Sequence, residues 1–184
     1  TQISAMAAVT EHLGFGVTAA ATFEQPYTLA RRYASLDHLT EGRVGFNVVT
    51  SYLPSAAENQ GLPTQIPHDE RYDIADEFLD VCYKLWEGSW EDGAVVKDRE
   101  RGIYADPSKV HPIGHKGKYF SVPGISLTEP SPQRTPVIFQ AGASSRGQKF
   151  SGKHAEAVFI SALRPDLTRV VTDRIRAAAE EQGR

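Results

Sequence analysis

Strand-like and helix-like segments alternate along this chain, and that alternation restricts the fold more than any other feature. Residues 3–13 read as the end of a helix, with Gly14 as its stop. Residues 14–23, Gly-Phe-Gly-Val-Thr-Ala-Ala-Ala-Thr-Phe, read as a buried strand running into a turn of small residues. Pro26 suits the first turn of a helix. Leu29, Arg32, Tyr33 and Leu36 follow at helical spacing, and Gly42 closes the segment. Residues 43–50 form a second strand, and a polar loop follows. Tyr72, Ala75, Phe78, Leu79, Cys82, Leu85 and Trp86 then mark a long amphipathic helix that stops at Gly88. Residues 136–141 form a third strand and are followed by a helix to about residue 155. A fourth strand covers 157–160. A closing helix over 165–182 is expected to turn Leu167, Val170, Val171, Ile175 and Ala178 inward. Such alternation implies parallel strands with right-handed crossovers. It leaves two architectures open, a doubly wound sheet and a β/α barrel. Four units in 184 residues amount to about half of an eight-unit barrel.

Residues 89–135 break the pattern. They are rich in Gly, Pro and charge, show little helical period, and read as an excursion with a short hairpin around 118–122. A loop of this length inside a compact domain is usually functional or a small module of its own. With 40% hydrophobic and 23% charged residues, the chain has the composition of a soluble globular protein. A net charge of -3 with mixed signs gives no basic stripe for nucleic acid. A single cysteine, Cys82, allows no internal disulfide and fits a reducing compartment, so a cytoplasmic location is expected. The apolar runs are far shorter than a membrane span. The first residues contain no basic leader and no initiator Met, and the last stop in or just after a helical pattern. Both ends therefore read as cuts.

Three segments could carry chemistry. In Gln140-Ala-Gly-Ala-Ser-Ser-Arg-Gly147 a strand ends and a Gly/Ser turn opens a helix. Helix-terminal amides beside hydroxyls suit a phosphate, with Ser144 as the candidate. An ordinary Ser N-cap accounts for the same residues, and the spacing is not that of a Walker A loop. His68 and Tyr72 lie four apart at a helix start, on one face. They could both reach a phosphate or ribityl oxygen, or they could be a solvated His and a core Tyr. Thr18 and the segment Asn47-Val-Val-Thr50-Ser51 lie at or near strand C-terminal ends, where barrels carry their chemistry. Thr is also simply a good strand former, and Asn a good strand terminator. No His-Glu-x-x-His, Ser-His-Asp, Cys-His or paired-carboxylate pattern stands out, so no metal site is expected. Cys82 reads as an inert core thiol. Asp37 and Glu129 have no partner visible in the sequence. A chemistry carried by a bound cofactor fits this inventory.

Several strings together resemble one family. They are Leu29-Ala-Arg-Arg-Tyr-Ala-Ser-Leu-Asp-His-Leu-Thr-Glu-Gly-Arg-Val-Gly-Phe-Asn-Val-Val-Thr-Ser51, His68-Asp-Glu-Arg-Tyr-Asp-Ile-Ala-Asp-Glu-Phe-Leu79, Val110-His-Pro-Ile-Gly-His-Lys-Gly-Lys-Tyr-Phe120 and Pro136-Val-Ile-Phe-Gln-Ala-Gly-Ala-Ser-Ser145. In this order they resemble the FMN-dependent monooxygenases of the bacterial-luciferase superfamily, in the nitrilotriacetate monooxygenase, pristinamycin synthase and dibenzothiophene-sulfone monooxygenase branch. The resemblance implies an α/β fold, a partial (β/α)8 TIM barrel of the luciferase-like type with an insertion at about 89–135. Residues 1–184 would then be the central part of one barrel domain, with its N- and C-terminal units outside this sequence. It implies reduced FMN as cofactor and oxygenation of a small organic substrate by O2 through a flavin hydroperoxide. It also implies a separate NAD(P)H:flavin reductase as partner, no nucleic acid or membrane partner, and a homo-oligomer as a state to look for. Carried over by position, Thr18 is a polar flavin contact, His68 and Tyr72 approach the ribityl-phosphate, and Ser144 binds the phosphate. Asn47 and Thr50 fall near the isoalloxazine. The substrate stays open, because Tyr52-Leu-Pro-Ser-Ala-Ala departs from the family pattern. Two alternatives remain at this point: a deazaflavin-dependent oxidoreductase of the same superfamily, and a truncated, non-catalytic fragment.

Overall fold

The computed structural model describes residues 2–161 and 164–184. Its element order follows the expected alternation: α1 (Gln2–Ala8), β1 (Phe15–Ala20), α2 (Pro26–Thr40), β2 (Val44–Val49), α3 (Pro54–Glu58), α4 (His68–Tyr83), then β3 (Val95–Asp98), β4 (Ile103–Ala105), β5 (His115–Lys116), β6 (Ser121–Val122), β7 (Val137–Gln140), α5 (Ser145–His154), β8 (Ala157–Val158) and α6 (Pro165–Glu180). The chain divides into two compact units. The first holds the residues up to Phe15, Gln25–Val44 and Glu77–Pro136, and the second holds Gly16–Glu24, Gly45–Asp76 and Val137–Arg184.

The first unit is built on α2 and the later part of α4. Pro26 opens α2, and Glu41, in the left-handed region at φ 53, ends it, its amide bonded back to the last turn. The buried face is Leu29, Ala30, Tyr33, Ala34 and Asp37, a helical repeat, whereas Arg32 is exposed. On α4, Phe78, Leu79 and Cys82 are fully buried. The helix then widens into a single π turn over Lys84–Gly88, which buries Leu85 and Trp86 before the chain leaves the helix. The Trp86 indole N–H donates to the Ala30 carbonyl at 3.0 Å, and the Cys82 thiol faces the Pro26 carbonyl at 3.8 Å. Burial pushes that thiol up, away from the reactive thiolate.

The excursion over 89–135 lies within this first unit. It forms two short antiparallel ladders, β3 with β4 and β5 with β6, the second enclosing the hairpin region expected from the sequence. Such short strands need side-chain fasteners, and the acids supply them. Glu77 accepts from the backbone amides of Lys118, Tyr119 and Phe120 at 3.0, 3.0 and 2.8 Å, and pairs with the buried His115 at 3.2 Å. Burial would raise the Glu77 carboxyl, but these hydrogen bonds outweigh it and hold the group below the usual range. Asp37 and Glu129 also find partners, although the sequence showed none. Asp37 accepts from the Gln133 backbone at 2.8 Å, and Glu129 accepts from Lys97 at 2.9 Å and from the Tyr104 hydroxyl.

The second unit carries the sheet, in the order β1-β2-β7-β8. β2 pairs with β7 in parallel, Phe46 opposite Ile138 and Asn47 opposite Phe139, and β7 pairs with β8 in parallel. Alternation along the strands sends Phe46, Val48, Ile138 and Gln140 into the buried side and leaves Val137 and Phe139 partly exposed. Two expectations change here. The first helix ends at Ala8 rather than at Gly14, because the Thr10 hydroxyl donates to the Met6 carbonyl at 2.7 Å and ends the ladder early. The closing helix α6 has no fully buried residue: Leu167 and Val170 are 49% and 46% exposed. Val171, Ile175 and Ala178 of the expected inward face are half-buried, and Gly152 of α5 permits close approach at Ala178. Among the described residues no helix is long and apolar enough to cross a membrane.

Candidate functional site

A cavity of about 500 Å3 opens in the second unit, within the ordinary range for small-molecule sites of roughly 300–1,000 Å3. It is bounded by the end of β2 (Val49 to Leu53), the first turn of α4 and the β7–α5 connection. Three of the four residues singled out from the sequence meet there: His68, Tyr72 and Ser144. Thr50, at the β2 end, joins them. The fourth, Thr18, does not line this cavity. It sits on the exposed side of β1, and its hydroxyl oxygen accepts from the Asn47 side-chain amide at 2.9 Å. The structure joins Thr18 and Asn47 on the sheet by this side-chain bond, and neither lines the cavity.

The β7–α5 turn is rigid for reasons that can be traced residue by residue. Gln140, buried at the strand end, accepts from the Ser151 hydroxyl and the Gly142 amide, both at 2.5 Å. The Gln148 side chain donates to the Ala143 carbonyl at 2.9 Å. Ser144 adopts the extended conformation of an N-cap, and its oxygen accepts from the Gly147 amide at 3.0 Å. Both readings of Ser144 are compatible with this geometry. Capping uses an acceptor lone pair, and the hydroxyl proton remains available to a ligand. The amides of Ser145 and Arg146 precede the first intrahelical bond, at the positive end of the helix dipole.

Tyr72 reaches this turn from α4. A Cβ built on Gly142 or on Gly147 would stand 2.7 Å from its phenol oxygen. Any side chain at either position would displace the ring, so both residues are glycine for close approach rather than for backbone freedom. Tyr72 is only 5% exposed. Its ring packs on Phe150 at 5.5 Å and on the edge of His68 at 5.3 Å, and the Arg146 guanidinium covers it at 5.5 Å. Its hydroxyl has no hydrogen-bond partner among the described residues, and the residue lines the cavity. His68 is half exposed, with Nδ1 held by the Asp69 carboxylate at 2.6 Å.

Asp76 locks α5 against the first half of α4. It accepts from Arg146 at 2.5 Å, His154 at 2.7 Å and Lys153 at 2.9 Å. Burial would raise its carboxyl, but those three hydrogen bonds hold it far below the usual range. Burial lowers His154, more than Asp76 raises it. The geometry of the turn relative to His68 and Tyr72 thus depends on charges outside the cavity.

Sequence reading gave no role to the cavity residue Arg71, and named Gln140 only as the first residue of the turn. Arg71 carried a signal, since 68, 71 and 72 share one helix face. Ser51, at the cavity wall, takes φ 52, a left-handed conformation for a non-glycine residue. Among the described residues no group of three or more His, Cys, Asp or Glu side chains could hold a metal ion.

Comparison with known proteins agrees with this geometry. The chain is 64% identical to dimethyl-sulfide monooxygenase of Hyphomicrobium sulfonivorans, over 99% of its own length and 38% of that protein's. The crystal structure of a long-chain alkane monooxygenase superposes with a TM-score of 0.96 at 60% identity, covering 99% of this chain and 42% of that one. A riboflavin lyase solved with modified FMN and riboflavin superposes with a TM-score of 0.94 at 47% identity, covering 99% and 40%. The chain thus spans about 40% of the length of these relatives. These superpositions decide between the two architectures left open above: the α/β fold is part of a luciferase-like barrel. The luciferase-like monooxygenase family matches residues 1–184 from end to end, and the chain belongs to that family.

Proposed function

We propose that this chain forms the flavin-phosphate side of a monooxygenase that uses reduced FMN and O2 to oxygenate a small organic substrate. The observation that carries the reading is Tyr72, a buried ring whose hydroxyl lies at the cavity without a partner among the described residues, against a turn that only glycine permits. A hydroxyl there is free to donate to a ligand, and the helix terminus beside it suits a phosphate. The residues present fit FMN. Ser144 donates its hydroxyl proton to a phosphate oxygen while still capping α5. Tyr72 donates from the opposite side, and His68, at the outer edge, meets the ribityl chain. Thr18 and Asn47, joined to each other on the sheet, present a second hydroxyl proton and an amide oxygen to the ring edge of the flavin.

Reduced flavin supplies the electrons that activate O2, one atom entering the substrate and the other leaving as water. The part of this chain is to bind and orient. It fixes the phosphate through a turn made rigid by Gln140 and Gln148, and no nucleophile of its own is needed. The reduced flavin is delivered by a separate NAD(P)H:flavin reductase. A relative 46% identical over 86% of this chain is named nitrilotriacetate monooxygenase component A, a name that denotes one part of a multicomponent system. Dimethyl sulfide and long-chain alkanes, named for the relatives at 64% and 60% identity, make small apolar compounds the first substrates to assay. The 89–135 segment is an insertion within the same barrel domain.

The test is an anaerobic titration with reduced FMN, followed by oxygen uptake with those substrates. Tyr72→Phe is expected to weaken FMN binding about tenfold, the loss of one hydrogen bond to a charged group. It should leave the ligand-free melting temperature unchanged or raised, because the hydroxyl removed had no partner. Full affinity in Tyr72→Phe and in His68→Ala alike would refute the cofactor role of this helix face.

A further inference from the structure

Arg71 is the other buried polar group of the cavity, and it is charged. The residue is 7% exposed. Its Nη1 donates to the Ile66 carbonyl at 2.9 Å, and its Nε is enclosed with no acceptor. It has no carboxylate partner among the described residues. A guanidinium cannot shed its proton to escape this situation, and an unpaired buried charge is costly to maintain. Among the residues that line the cavity, Arg71 is the one Lys or Arg, and no Asp or Glu stands beside it. Arg146, Arg164 and Arg184 of the second unit are paired, with Asp73 and Asp76, with Asp166 and with Glu156.

We infer that Arg71 is the charge partner of the flavin phosphate and the residue that makes the site select FMN over unphosphorylated riboflavin. The inference rests on the flavin reading above and extends it to specificity. Ser144 and Tyr72 offer neutral hydrogen bonds, and these do not balance a phosphate dianion. Arg71 lies one residue before Tyr72 and three after His68, on the same face of α4, and its guanidinium offers planar donors of the kind that pair with phosphate oxygens. Riboflavin brings no anion. Binding it would leave Arg71 buried and unpaired in a site now closed by ligand, so the site discriminates by leaving its own charge unmet.

The experiment compares FMN and riboflavin titrations of the protein with those of Arg71→Met and Arg71→Lys, alongside melting curves with and without inorganic phosphate. The unaltered protein is expected to prefer FMN by at least about tenfold, and inorganic phosphate alone should raise its melting temperature. Arg71→Met should lose at least about tenfold in FMN affinity, keep its riboflavin affinity and no longer respond to phosphate. Arg71→Lys should fall between, keeping the charge but losing the planar fork. An unchanged FMN-to-riboflavin ratio in Arg71→Met, or an equal loss for both flavins, overturns the inference and leaves Arg71 as a clamp on the 51–66 segment. Phosphate stabilisation that persists in Arg71→Met does the same. Should Arg71→Met not fold, the Arg71→Lys ratio and the phosphate response of the unaltered protein decide. An unaltered protein that binds neither flavin but is stabilised by phosphate only through Arg71 refutes the flavin reading and keeps the anion site. If it binds both flavins equally, the flavin reading stands and this inference falls.

Discussion

Glu77 and Asp76 are neighbours on α4, yet they belong to different compact units, and the two units treat their buried polar groups differently. In the first unit, Glu77, Asp37 and Arg134 each bind backbone of the 89–135 segment or its flanks, Arg134 donating to the Trp90 carbonyl at 2.9 Å. Among the described residues, the one enclosed side-chain atom left without a partner there is the Ser131 hydroxyl, a neutral group beside a cavity of about 10 Å3, room for one water at most. In the second unit, Asp76 is equally well satisfied, but the Arg71 Nε is enclosed without a partner beside a space about fifty times larger, which the Tyr72 hydroxyl also borders. Fully met polar groups hold a segment in place, whereas unmet ones beside a large cavity await a ligand. That contrast separates structural from binding residues better than residue type does, since both units contain buried His and Ser.

The contrast can be broken in three places. The largest effect is expected at Glu77. Glu77→Ala strips the acceptor from three backbone amides and from His115, and should cost about 2–3 kcal/mol of stability, the penalty for leaving such groups unsatisfied. FMN affinity below the melting transition should not change, because Glu77 serves the first unit alone. A folded Glu77→Ala protein that has lost FMN binding would erase the distinction between the units. Ser144→Ala sits at the boundary of the contrast, because that serine both caps a helix and faces the cavity. It should cost about 1 kcal/mol of stability as a lost N-cap and weaken FMN roughly tenfold through the lost charge-assisted bond. A melting shift with unchanged FMN titration would assign Ser144 to the cap alone.

The smallest effect is in pH dependence. His154 is buried beside Asp76, with Lys153 and Arg184 also near. Unfolded, its imidazole takes a proton near the ordinary value of 6.5; folded, it does so only at lower pH. Between those values the unfolded chain binds more protons, so stability falls as the solution is acidified through that window. Asp76 and Glu77, held low in the fold, keep their contribution until the pH drops below the ordinary carboxylate range and lose it from there downward. Melting temperatures from pH 7.5 to 5.5 should therefore show a modest fall that His154→Gln flattens. An equal fall in the variant would remove His154 as its source.

Much of the fold was legible because it rests on periodicity. The α4 stripe from Tyr72 to Trp86 is buried as its spacing required, and the β7 turn is a strand end opening a capped helix. Other features were not legible, because they depend on contacts between residues far apart in sequence. Nothing in the chain showed that Glu77 would meet amides at 118–120, or that Asp37 would meet Gln133. The apolar spacing in α6 suggested an inward face, of which Val171, Ile175 and Ala178 are half-buried while Leu167 and Val170 stay exposed.

Residue order by itself determined the βα alternation, the shared helix face of His68, Arg71 and Tyr72, and the Gly/Ser turn after β7, since each is a local matter of spacing and backbone preference. Whether Ser144 only caps or also faces a cavity, whether Thr18 lines that cavity or stands beside it, and which buried arginine goes without a carboxylate were decided by the tertiary structure. The physical reason is that satisfaction of a polar group is a property of its surroundings. The same guanidinium is spent in Arg146, where Asp73 and Asp76 come within 2.9 and 2.5 Å, and unspent in Arg71, where the fold brings up only a single backbone carbonyl.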